Sequence, residues 1–403
     1  MNKVRITREE LERRLALLRE KMQAEKLDAV FVYGDEYRKE SLRYVSNYWP
    51  IFDRGALLAG ATGEPIVLAA PESQKVAKEM TPWEDVRCVP DMFASYISDT
   101  IDYPLASYYR FPQLAEELRT RGPLNRLGVI GVDAMSVKLF DSIKRGFGCE
   151  VVDADHIMYE MREVKSPLEC ACLKEAGRIA SEGIRALVNS NIVGLRETEL
   201  CGIAEAAARK AGAESIVFTI CATGKRSNNI VPRATDKIVE DGDMVSFGLA
   251  VSYQGYVSTC QIPFVAGSYS EHTWRTIDAL IRANAVGLKE LKAGNPMQNL
   301  VKAVRDCFRA EQLDQYDVYP PLHGIGLAEA ENPYPDENTE DVFEAGMTFN
   351  TDISLFGTPG DSNRIEGGYI VTEAGYESIT PFVDEYCAKW MQERKASAFC
   401  KDK

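Results

Sequence analysis

Histidine is almost missing from this chain: 403 residues hold three, His156, His272 and His323. That scarcity excludes His-rich zinc sites, HExxH proteases and any metal site made from neighbouring histidines. Long apolar runs are missing as well. None approaches the roughly 18 residues a membrane helix needs, so no membrane partner is expected. Met1–Lys26 is charged and amphipathic, without the apolar centre of an export signal, so the expected location is cytoplasmic. Positive charge is in deficit: 47 Lys and Arg against 61 Asp and Glu leave a net −14. No local basic patch offsets it, which argues against nucleic acid as a partner. The ten cysteines include no CxxC pair, and in a reducing compartment they read as free, buried thiols.

What is present is a globular composition, and at roughly 150 residues per domain the length suggests two or three domains. Thr7–Arg8–Glu9–Glu10 fits a capping box, and Leu11, Leu15, Leu18 and Met22 recur at helical spacing. These predict a first helix reaching about Glu25. Ala29–Tyr33, Gly55–Ala59, Pro65–Ala70, Leu127–Val132 and Glu150–Ala154 read as short strands separated by helical stretches, an α/β pattern. A second capping box, Ser166–Pro167–Leu168–Glu169, opens a helix to about Val188. Helices over 197–211 and 274–291 follow. Strands are expected over 215–222, 244–251, 256–265, 347–353 and 368–372, so the second half reads as α+β. The expected domains are 1–158, 159–386 and a fraying tail, 387–403.

Several short motifs stand in order along this second half. They are Arg162–Glu163–Val164–Lys165 leading into Ser166–Glu169, Asp241–Gly242–Asp243, Gln254–Gly255–Tyr256, His323–Gly324–Ile325–Gly326, Glu344–Ala345–Gly346–Met347 and Arg364–Ile365–Glu366. Together they resemble the creatinase and Xaa-Pro peptidase superfamily over about residues 8–385. The resemblance implies a pita-bread catalytic domain of α+β class, preceded by a smaller α/β creatinase-type domain.

Metal-dependent members of that family hold two metal ions with two Asp, one His and two Glu. Carried over by position, the resemblance puts the first Asp on Gly248 and the second on Thr259. It keeps the histidine as His323, shortens one Glu to Asp352 and keeps the other as Glu366. A second, substrate-facing histidine falls on Ala330. Two anionic ligands are therefore gone, and glycine or a neutral hydroxyl is a poor replacement for a bridging carboxylate. No metal and no cofactor are expected, although His323, Asp352 and Glu366 stay open as a one-metal triad.

The same combination resembles creatinase, which cleaves a guanidino C–N bond without metal. Phe52–Asp53–Arg54 is similar to a Phe-x-Arg there that crosses to the neighbouring subunit and grips the substrate carboxylate, a task suited to a planar guanidinium. This implies a homodimer with a cross-subunit site; on the plainer reading Arg54 is a surface residue. No histidine stands near Asn229–Pro232, where the creatinase base belongs, and a further catalytic Glu position holds Gln261. The expected catalytic set is His323, Asp352 and Glu366, two of them a carboxylate pair sharing a proton. Phe52, Arg54, Gln261 and Glu331 are expected to bind substrate, with Lys225–Asn229 as a polar loop beside them. Strand alternation turns Cys260 toward the core. The expected function is metal-independent hydrolysis of a C–N bond in a small carboxylate-bearing nitrogen compound. The alternatives are a metal-dependent Xaa-Pro dipeptidase or aminopeptidase with a degraded site, a non-catalytic binding protein, and a lyase using the same acid–base set.

Overall fold

The computed structural model describes residues 4–93 and 106–401, with side chains described as far as residue 393. The chain forms two compact units, Ile6–Arg162 and, with the N-terminal residues up to Arg5, Glu163–Lys403. The helix Asp155–Glu163 spans the expected boundary at 158, because Ile157, Met158 and Met161 are buried and the Met161 carbonyl accepts from Tyr44 Oη at 2.8 Å. At the other end, residues 387–391 do not form a separate tail. A helix starts at Pro381, and Tyr386, Cys387, Trp390 and Met391 pack on the second unit's core.

The first unit starts with the capped helix Arg8–Ala24, where Thr7 Oγ1 accepts the Glu10 amide at 3.3 Å. Its six strands are β1 (Ala29–Asp35), β2 (Arg54–Gly60), β3 (Ile66–Ala69), β4 (Val86–Cys88), β5 (Arg126–Ile130) and β6 (Glu150–Asp153), in the order β4-β3-β2-β1-β5-β6. The sheet is mixed: β1 pairs antiparallel with β2 and parallel with β5. Strands β1, β2, β3 and β5 read as apolar runs because both of their faces are covered.

The second unit is a larger, eight-stranded sheet packed against helices. Its strands are β7 (Ser215–Thr223), β8 (Met244–Tyr253), β9 (Tyr256–Gln261), β10 (Phe264–Val265), β11 (Leu322–Gly324), β12 (Thr348–Leu355), β13 (Asn363–Thr372) and β14 (Gly375–Ser378). The main path runs β10-β8-β9-β13-β12-β11, with β7 beside β8 and β14 beside β13. The single strand expected over 256–265 is broken at Ile262–Pro263, where proline has no N–H for the ladder. Helix Pro167–Val188 carries the full reciprocal capping box at Ser166 and Glu169 and packs over β8 and β9. The helix expected from 274 starts at Glu271, because Ser270 and Thr273 cap each other's backbone amides.

Two local features set the register that matters below. Gln254 and Gly255 both take left-handed conformations (φ 51° and 86°), the tight turn that joins β8 and β9 without an extra residue. Strand β13 starts at Asn363, five residues earlier than its apolar stretch suggests, and so brings Arg364 and Glu366 into the sheet.

Candidate active site

In register, Gly248 on β8 faces Gln261 on β9, Gln261 faces Glu366 on β13, and Glu366 faces Asp352 on β12. Successive side chains on a strand point to opposite faces, so these residues line one face of the sheet. His323 on β11 pairs with Asn350, two residues before Asp352, and joins the same face. The other face carries Phe247, Leu249, Cys260, Ile353 and Ile365, which pack in the helix-covered core. One apolar face and one polar face within a buried sheet define the site.

The ligating atoms of His323, Asp352 and Glu366 lie within 4.8 Å of one another, and all three residues are buried. His323 Nδ1 sits 3.0 Å from the Gly324 carbonyl. A carbonyl only accepts, so Nδ1 carries the proton and Nε2 remains an acceptor. The imidazole stacks on Tyr334, with ring centres 5.5 Å apart.

The two carboxylates are not equivalent. Arg364 Nη1 approaches Asp352 Oδ2 at 3.2 Å, with both side chains buried, and Nη2 donates to the Ile230 carbonyl. Among the described residues, Glu366 accepts a hydrogen bond only from the Asn350 amide, at 3.2 Å. Burial, and then the Asp352 charge, hold the Glu366 carboxyl well above the usual carboxylate range. Burial raises Asp352 too, but the Arg364 guanidinium opposes it. Of the pair, Glu366 holds the proton and Asp352 the charge.

Gln261 lies in the row as expected, and its carboxamide has a specific place. Oε1 stands 2.6 Å from where a Cβ on residue 248 would be, while Nε2 donates to Ser246 Oγ and Asn363 Oδ1 at 3.3 Å. Thr259 Oγ1 donates to Glu329 Oε1 at 2.8 Å.

The expectations for Glu331 and for the 225–229 loop are corrected, while Cys260 lies on the core side as alternation implies. Glu331, expected to contact substrate, pairs instead with buried Lys165 at 2.9 Å and accepts the Ala328 amide, anchoring the loop after β11. In the loop expected to bind substrate, Arg226 is committed to Glu197 and the Arg233 carbonyl, and Asn228 to Ser362. Cys260 is fully buried, and burial pushes its thiol up, so it is no nucleophile. Phe52 and Arg54 belong to the first unit, with Arg54 opening β2 opposite Asp35 and Phe52 partly exposed.

Arg364, Asn350 and Glu329 were not singled out from the sequence. Arg364 had a signal: two residues from Glu366 on a strand, it must share that face. Asn350 stands in the same relation to Asp352. Glu329 is on a loop, where no periodicity applies.

Residues 171–373 match the family described as Metallopeptidase family M24, and residues 14–164 match the Creatinase/Prolidase N-terminal domain. An Xaa-Pro dipeptidase of Pyrococcus furiosus is 25% identical over 294 residues, 72% of this chain and 83% of that protein. An uncharacterised peptidase of Bacillus subtilis is 27% identical over 232 residues, 57% of this chain and 66% of its own length. The prolidase of Pyrococcus horikoshii OT3 superimposes with a TM-score of 0.76 at 22% identity, covering 91% of this chain and 98% of that one; it speaks to the fold alone.

Proposed function

The chain belongs to metallopeptidase family M24, and from that premise we propose that it hydrolyses an amide-type C–N bond in a small, carboxylate-bearing substrate. One observation carries this reading: His323, Asp352 and Glu366 converge within 4.8 Å on a buried polar face. Three titratable groups in such a space suit proton transfer to and from a hydrolysed bond. Without an ion, His323 Nε2, beside ionised Asp352, takes the proton of an attacking water, and protonated Glu366 delivers one to the leaving nitrogen.

A pair of metal ions does not fit these residues. Gly248 offers no ligand, the space above it is filled by the Gln261 carboxamide, and Thr259 has already given its hydroxyl proton to Glu329. A single divalent ion does fit, held by His323, Asp352 and Glu366. When bound, such an ion polarises a carbonyl and acidifies a water. The Xaa-Pro dipeptidase relative favours this one-ion peptidase reading, and a dipeptide ending in proline is the first substrate to assay.

Metal-free cleavage, in the manner of creatinase, is the second reading. It is favoured by the Arg364 guanidinium, which already supplies Asp352 with a positive partner. In both readings Arg54 and the exposed Phe52 of a second copy hold the substrate carboxylate, which makes the working form a homodimer.

The test is turnover of Xaa-Pro dipeptides and guanidino acids by the purified chain, with and without a chelator, alongside elemental analysis. Activity lost on chelation, with stoichiometric metal, selects the one-ion reading; activity retained selects the metal-free one. Turnover that survives both His323→Ala and Glu366→Gln rejects the proposal.

A further inference from the structure

Glu329 has no counterpart among the ligand positions discussed above, yet its carboxylate stands on the active face. It follows β11 on the loop anchored by Glu331 and Lys165, and it is fixed by the Thr259 hydroxyl at 2.8 Å. Thr259 lies two residues from Gln261 on β9, about 7 Å along the strand. Glu329 is outside the tight cluster of His323, Asp352 and Glu366, and its charge acts on Asp352, Glu366, Tyr319 and Tyr334. It therefore faces the same chamber from the side where the lost carboxylate position, Thr259, now has only a hydroxyl.

A second observation concerns oxygen atoms. Gln261 Oε1, Asn350 Oδ1 and Asp352 Oδ1 have no hydrogen-bond partner among the described residues, and their residues are at most 2% exposed. Buried acceptors are ordinarily paired, and these three share the face that carries the catalytic groups. What they lack is N–H donors. Among the described residues the guanidinium of this face, Arg364, gives Nη1 to Asp352 and Nη2 to Ile230, and its buried Nε is left without a partner. An anionic head group would meet Glu329 and Asp352 against one guanidinium whose charge Asp352 already balances; a cation with several N–H groups suits both carboxylates and the unpaired oxygens.

We infer that Glu329 is a specificity-determining residue that binds the cationic nitrogen of the substrate — a primary ammonium, amidinium or guanidinium — beside the unpaired oxygens of Gln261, Asn350 and Asp352. The inference rests on the hydrolase reading of this face but concerns recognition rather than turnover. Thr259 positions the Glu329 carboxylate, and the carboxylate end of the substrate is left to the rest of the site.

Binding is measured by calorimetry at pH 7 on the full chain with two matched pairs. These are L-alanyl-L-proline against its N-acetyl form, and guanidinoacetate against N-carbamoylglycine. The expected result is that at least one cationic member binds the wild type tenfold or more tightly than its neutral partner. Glu329→Gln should erase that ratio while leaving the neutral partner's Kd unchanged, and Thr259→Val should reduce it in the same direction. Should Glu329→Gln not fold, Thr259→Val carries the test alone. A wild type that binds neither cation, or shows no preference for one, overturns the inference, as does a preference that survives in the variants. Cationic probes that bind through Glu329 without being cleaved would count against the hydrolase reading and leave this inference standing.

Discussion

Gln261 and Gly248 are a matched pair: the carboxamide oxygen of one fills the volume that a side chain on the other would need, 2.6 Å from the would-be Cβ. The family resemblance puts a carboxylate of the metal-binding members at 248; here a neutral group reaches over from the next strand instead. The bare glycine at 248 is thus built into the packing.

Gly248→Ala should destabilise the fold by about 1–3 kcal/mol, the usual cost of overpacking a tight interior. In a Gln261→Ala background the same change should cost less, with the contact to the Ile220 side chain, 2.9 Å from the same point, still to be relieved. A double-mutant cycle in urea reads the coupling directly. Additive costs would mean that the two residues do not share that space.

Glu366 makes stability depend on pH in a stated direction. Its folded value lies above the ordinary 4.5, so its favourable contribution is complete below 4.5 and is lost as pH rises through the folded value. Glu366→Gln keeps the neutral form at all pH. Compared with the wild type in the presence of a chelator, the variant should gain relative stability between pH 5 and pH 8. Urea unfolding at those two pH values checks it, and a constant difference would place the proton elsewhere.

Arg364 holds Asp352 in its charged form and ties the 224–235 loop to the sheet through the Ile230 carbonyl. Removing one member of a buried ion pair leaves the other uncompensated, at roughly 3–5 kcal/mol. Arg364→Ala should lose about that much by chemical denaturation, and Arg364→Ala/Asp352→Asn should recover part of it. No recovery would mean that the guanidinium acts mainly through its contact with Ile230.

The histidine is the most sensitive point for turnover. His323→Ala should lower kcat by about 10²–10⁴, the range for removing a positioned acid–base group. Cys260→Ala should leave kcat within a few-fold, because its sulfur lies on the core side of β9.

Much of this site was legible because strands impose a period of two. His323, Asp352, Glu366 and Gln261 follow from the family resemblance that the motif order carries, and alternation turns Cys260 inward. Helix starts were legible where a hydroxyl and an acid stand three apart, at Thr7 and Ser166. The partners on loops were not. Glu331 and Glu329 differ by two positions on an irregular segment, and only the Lys165 ion pair and the Thr259 hydroxyl decide which one enters the site. Strand β13 was read too short because Asn363, Arg364 and Glu366 are polar, as the inner face of an active site must be.

The most direct measurement is the number of manganese ions that each chain retains after loading and exhaustive dialysis, read by elemental analysis and by electron paramagnetic resonance. With so few anionic side chains left around His323, retention should be at most one per chain, with an isolated-ion spectrum. Two retained ions with a spin-coupled signal would contradict the account at its root.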